Sequence, residues 1–107
     1  MKTYTVDNCP IQPVVDVISG KWTSLVLWEI SQKHNHYGEL KRQLGGISTR
    51  TLAARLKMLE EQGIVSRNVF PTTPPTVEYV LTKKGLDLAP ILYAMRDWSE
   101  KYDNTNL

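Results

Sequence analysis

The sequence holds a single cysteine, Cys9. One thiol excludes an internal disulfide and fits a reducing compartment. No apolar run approaches the roughly 18 residues of a membrane span. The opening "MKTYTVDNCP" also lacks the apolar core of a secretory signal. A cytoplasmic protein without a membrane partner is therefore the expectation. Missing too are a G-x-S-x-G elbow, a phosphate-cradling glycine loop and a paired acidic motif, so enzyme chemistry has no candidate centre. His34 and His36 form an H-x-H pair in a polar turn. Without further ligands to complete tetrahedral coordination, they read as solvated loop side chains and not as a zinc site. Neither a metal nor any other cofactor is called for.

What is present suits one domain over residues 1–107, with 41% hydrophobic residues to build a single core. The net charge of +2 hides an uneven distribution. Between Lys33 and Lys57, six cations (Lys33, Lys41, Arg42, Arg50, Arg55, Lys57) face one acid, Glu39. From Asp87 to Asp103, two cations face four acids. A basic middle and an acidic end predict one face for a polyanion and another for a different partner.

Along the chain, Pro10 and Pro13 belong to the first turn of a helix in which Ile11, Val14, Val15 and Ile18 recur at helical spacing. Gly20 is expected to end it. The nearly continuous apolar "WTSLVLWEI" reads as a central buried helix, and "YGELKRQL" as a short one with Leu40 and Leu44 on one side. Gly45-Gly46 makes a turn. Ser48 then caps a helix whose entry is fixed by a staple between Ile47 and Leu52. Leu52, Leu56 and Leu59 give that helix one apolar stripe, and Gly63 stops it. Two β-rich runs, "IVSRNVF" and "TVEYVLT", follow with three prolines between them. Thr82 can cap a last helix carrying Leu88, Ile91, Leu92, Met95, Trp98 and Tyr102, which Pro90 should kink or break near residues 86–90.

Two helices joined by a tight glycine turn, with a hairpin straight after the second, make a helix-turn-helix with a wing. The fold class is thus mainly α with a small β-hairpin. The helix-turn-helix covers 37–63, the wing 64–82, and flanking helices 8–20 and 86–103. With Leu52 at zero on a helical wheel, Arg50, Ala54, Lys57 and Glu61 fall within about 40° of the opposite direction. A recognition helix reads the major groove with its N-terminal residues. Ser48 sits at that end. Arg50 suits a bidentate contact to guanine, while Thr49, Thr51 and Ala54 suit thymine methyls. Lys57, deeper along the helix, suits a phosphate. Arg55, on the flank, is either a phosphate contact or half of a structural ion pair. Lys41 and Arg42 on the preceding helix suit the sugar-phosphate backbone. Arg67 is the only cation of a wing whose tip, from Phe70 to Val77, is uncharged.

The segments "CP", "SGKW", "YGEL", "GISTRTL", "LEEQGIVSR" and "PPTVEYVLT" resemble, in order, the HxlR-type transcriptional regulators, a winged-helix group related to the MarR regulators. The resemblance runs from Cys9 to about Tyr102. It implies a homodimer that binds palindromic operators on double-stranded DNA, with the first and last helices building the dimer interface. On this chain that places Ile11 and Val14 of the first helix with Ile91, Met95, Trp98 and Tyr102 of the last. Many members carry a basic residue where Thr76 stands here, and often a larger apolar one at the position of Thr51.

The stripe through Ile91, Met95, Trp98 and Tyr102 is itself long for so small a domain. It serves either a second copy or the chain's own core. Some members use a cysteine at the position of Cys9 to sense oxidants or electrophiles. No cation adjoins Cys9 in sequence, and Asp7 is its nearest charged neighbour. A thiol sensor and a buried, silent thiol both stay open, as does a small-molecule or redox effector. The rival to an operator-binding regulator is a winged-helix module for protein contacts, its basic face serving an acidic partner.

Overall fold

A computed structural model of the chain describes Thr5 and residues 8–103, leaving Asp7 outside the described residues. Five helices and a hairpin follow in the order α1 (Gln12–Ile18), α2 (Lys21–Ser31), α3 (Tyr37–Gln43), α4 (Thr49–Glu61), β1 (Val65–Phe70), β2 (Thr76–Leu81) and α5 (Lys83–Tyr102). This is a mostly helical winged helix-turn-helix with a two-stranded antiparallel sheet. The core gathers Val26, Leu27 and Ile30 of α2, Leu40 of α3, and the Leu52-Leu56-Leu59 stripe of α4. Tyr79 of β2 and Leu88 and Leu92 of α5 close it.

Local chemistry explains most boundaries. Pro13 lies within the first turn of α1, where its missing N–H costs nothing, while Pro10 precedes the helix. The expected role of Gly20 changes. α1 ends at Ile18 with Ser19 as its cap, and Gly20, at φ 97, is the residue that starts α2. Its left-handed backbone reverses the chain between the two helices. α2 is not buried all round as expected. Its buried side carries Thr23, Val26, Leu27 and Ile30, whereas Leu25 points roughly the other way around the helix and is exposed.

α4 has matched ends. The Ser48 hydroxyl accepts the Thr51 N–H at 3.0 Å, and Ile47 and Leu52 are both buried as the staple requires. At the far end Gly63, at φ 74, lets the Ile64 N–H reach the Leu59 carbonyl at 2.9 Å, while its own N–H reaches Glu60 at 3.0 Å. That pair of bonds is a Schellman motif, with Ile64 and Leu59 both buried beside it.

The strands pair in the register Val65↔Leu81 through Phe70↔Thr76, with residues 71–75 as the loop. Thr82 then caps α5 by accepting the Gly85 N–H at 3.2 Å, and its hydroxyl donates to the Gly63 carbonyl. The break expected at Pro90 is absent: α5 runs unbroken from Lys83 to Tyr102. Pro90 is exposed, so its ring faces solvent and the helix forgoes one hydrogen bond. Buried Gly85, Leu88 and Leu92 hold the axis on both sides of it.

Both histidines are part-exposed, as expected outside the main helices, but each has a carboxylate partner. His34 Nδ1 lies 2.7 Å from Glu29 Oε2. His36 caps α3, its N–H donating to Glu39 Oε1 at 3.5 Å, and its ring lies 3.7 Å from the Glu78 carboxylate on β2. The Tyr79 N–H donates to the Asn35 carbonyl at 2.8 Å, and an isolated antiparallel bridge between His36 and Glu78 ties the segment before α3 to the wing. Among the described residues no helix is long and apolar enough to cross a membrane, and no His, Cys, Asp or Glu cluster could hold a metal.

Candidate nucleic-acid interface

α4 turns its leucines inward and leaves Arg50, Ala53, Ala54, Lys57, Glu60 and Glu61 exposed. By helical geometry that arc is centred about 140° from Leu52 and tilts toward Ala53 and away from Thr51. From Arg50 to Lys57 it bears two cations and two alanines. Short side chains there let the helix backbone approach a flat surface while Arg50 and Lys57 reach beyond it. The carboxylates of Glu60 and Glu61 stand about one turn beyond Lys57.

The ten residues assigned to this face from sequence fall into three situations. Arg50, Ala54 and Lys57 lie together on the exposed arc, with Thr49 exposed at its start. Ser48 and Thr51 are engaged with each other. Ser48 Oγ accepts the Thr51 N–H and lies 2.9 Å from Thr51 Oγ1, to which it donates. Thr51 is half-buried, so its first task is to start the helix. Lys41 is also occupied, its ammonium donating to the Ile47 carbonyl at 2.7 Å across the turn between α3 and α4. Arg42 is exposed, and its guanidinium folds back toward Gly38, where a Cβ would lie 3.4 Å from it.

Arg55 has no ion pair among the described residues, and its Nε is buried without a hydrogen-bond partner. The ion-pair half of its sequence reading therefore has no partner here. Arg67 is exposed on β1 opposite Tyr79. The wing tip beyond it is uncharged and internally bonded, Thr72 Oγ1 donating to the Pro74 carbonyl at 2.7 Å.

One residue escaped the sequence reading. His36 ties α3 to the wing; the spacing of His36 and Glu39, first and fourth in a capping pattern, was the available signal.

A second exposed surface lies on α1 and α5. Ile11 is 61% exposed, Trp98 66% and Tyr102 62%, with Ile91 and Met95 each at 44%. The rings of Trp98 and Tyr102 lie against each other, centroids 5.4 Å apart. These side chains do not cover this chain's own core. Val14, by contrast, is half-buried and packs on it. Cys9 is partly buried just before α1, its carbonyl accepting the Gln12 N–H at 3.0 Å.

Comparison with known proteins matches residues 17–106 to the HxlR-like helix-turn-helix family. An uncharacterized HTH-type transcriptional regulator of Synechocystis sp. is 46% identical over 97 residues, covering 87% of this chain and 72% of that protein. The redox regulator HypR in its oxidized form superposes with a TM-score of 0.79 at 35% identity, covering 91% of this chain and all of HypR. The reduced form of the regulator YodB from Bacillus subtilis gives 0.74 at 30% identity over 90% of this chain and 95% of YodB. The winged fold, the exposed basic helix and these matches together place the chain in the HxlR-like helix-turn-helix family of DNA-binding transcriptional regulators.

Proposed function

We propose that the chain binds a palindromic operator as a homodimer, reading sequence with the N-terminal half of α4. The observation that carries the reading is the exposed arc of α4, where Arg50 and Lys57 flank Ala53 and Ala54. Arg50 reads a guanine edge and the alanines lie against thymine methyls. Lys57, Arg42 and Arg55 hold phosphates, and Arg67 supplies the wing's one charged contact. Ser48, Thr51 and Lys41 fix the approach of α4 through the cap and turn they build. The second copy covers Ile11, Ile91, Met95, Trp98 and Tyr102, with Val14 at the border. It sets two recognition helices about one DNA turn apart. The whole chain works as one unit, α1 and α5 pairing copies and residues 37–82 meeting DNA.

The test compares binding to the operator and to random duplex for the parent, Arg50→Ala and Lys57→Ala. Losing a bidentate base contact costs about 1–3 kcal/mol of discrimination, so Arg50→Ala should narrow the operator preference more than Lys57→Ala. Equal, negligible effects of both would point to the protein-interaction module instead.

A second reading is favoured by the redox regulators among the relatives and by the position of Cys9 at the start of the dimer helix. Oxidation of Cys9 controls operator binding. Two thiols of a dimer join as an intersubunit disulfide, or one joins a small thiol, the oxidant taking up two electrons and two protons. Diamide should abolish operator binding by the parent and spare Cys9→Ser; the same response in both would reject the sensor.

A further inference from the structure

A trough of about 480 Å³ runs between α1 and α5 and ends against the turn that follows α4. Its volume lies within the roughly 300–1,000 Å³ typical of small-molecule sites. Val14 and Val17 form one wall and Leu88 and Ile91 the other, with Ile64 also in the lining. The lining is aliphatic, so an occupant must present an apolar body.

The charged groups at its rim decide what else the occupant carries. Asp16 stands on the α1 wall and Asp87 on the α5 wall. One oxygen of Asp16 accepts from Gln12 Nε2 at 2.6 Å, and one oxygen of Asp87 pairs with the exposed Lys83 at 2.7 Å. The other oxygen of each carboxylate has no protein partner among the described residues. Lys84 is the one cation of the lining, and it is directed elsewhere. Its ammonium donates to the Gln62 carbonyl at 2.7 Å, at the C-terminus of α4, where the helix already carries partial negative charge. An anion would find only the Gln62 amide and an ammonium already turned to a carbonyl, whereas a cation would find an uncommitted carboxylate oxygen on each wall.

We infer that this trough binds an amphipathic organic cation: an apolar body between α1 and α5, with an ammonium at the rim between Asp16 and Asp87. The site joins the surface proposed for pairing two copies to the end of the recognition helix. Ile91 belongs to that surface and Val14 borders it, so the dimer is the species to test.

The probes are phenylbutylamine, phenylbutanol and phenylbutyrate, which share a body and differ in charge. Each is titrated calorimetrically into the full chain at low salt, with thermal melting alongside. No DNA is present, so the outcome is independent of the operator reading. The amine should bind and raise the melting temperature, the alcohol should bind more weakly, and the carboxylate should not bind. The double substitution Asp16→Asn and Asp87→Asn should weaken the amine about fivefold, as expected for removing rim charges, and leave the alcohol unchanged. Glu100→Gln, on α5 outside the trough, should change neither. Equal affinity for all three probes, or amine binding that ignores the double substitution, would overturn the inference. So would no binding to the parent. If binding then appears in Trp98→Asp, the second copy is the trough's true occupant.

Discussion

Lys41 and Ile47 close the turn of the helix-turn-helix: the lysine ammonium, carried on α3, donates at 2.7 Å to a carbonyl one residue before the cap of α4. A residue that reads from sequence as a plain phosphate contact thus also sets the angle between the two helices. Lys41→Met removes the bond while keeping the aliphatic stem. It should cost about 1–2 kcal/mol of stability, since the carbonyl loses a charged donor in a part-buried site. Affinity for operator and random DNA should fall together. Unchanged denaturant unfolding would show that the bond contributes nothing.

Gly85 meets a harder constraint. A Cβ built there would lie 2.2 Å from the Ile64 carbonyl oxygen, which is backbone and cannot rotate away. Gly85→Ala would normally favour a helix, yet here it should destabilise the fold by about 2–3 kcal/mol. For a domain of this size that is a fall on the order of 10 °C in melting temperature. A rise instead would mean that α5 can shift off the wing.

Trp98, two-thirds exposed and stacked near Tyr102, is the largest uncovered apolar side chain on α5. Trp98→Asp should leave the single chain folded, because Trp98 covers none of its core. The homodimer should weaken by about thirtyfold or more, the scale of losing an aromatic anchor. Sedimentation at several concentrations measures this, and an unchanged dimer would place the interface elsewhere.

The wing gives a prediction in the direction of gain. Its tip carries no charge, and Thr72 is tied to Pro74 and Thr76 within it. Thr76→Arg adds a cation at the β2 end of the tip. If the wing lies against the DNA backbone, the salt dependence of duplex binding should steepen by about one unit of log–log slope for each wing in contact. No change would mean that the wing does not approach phosphate.

How legible all this was depends on the distance over which each feature is encoded. α4 could be drawn from its own residues, because Ser48, the Ile47–Leu52 staple and Gly63 act within a turn or two of the helix they bound. The hairpin was equally plain, since Val77, Tyr79 and Leu81 alternate and the prolines leave only a loop between the strands. Pro90 misled for a physical reason: its local cost is real, but the packing of Leu88 and Leu92 outweighs it. Leu25 misled because a run of apolar residues does not say which side of a helix meets water. The tie between Asn35 and Tyr79, the approach of the His36 ring to Glu78, and the clash awaiting a side chain on Gly85 are tertiary. No local pattern encodes them. At the candidate site, the wheel placed Arg50, Ala54 and Lys57 correctly on the exposed arc, whereas the diversion of Lys41 and Thr51 into the turn and cap emerged only from distances.

The central claim is that the arc of α4 binds duplex DNA, and the salt dependence of operator binding tests it most directly. The account predicts a steep linear fall of log affinity with log salt, and a slope shallower by about one for each site lost in Lys57→Ala. A flat salt dependence, or no binding to any duplex at low salt, would contradict it.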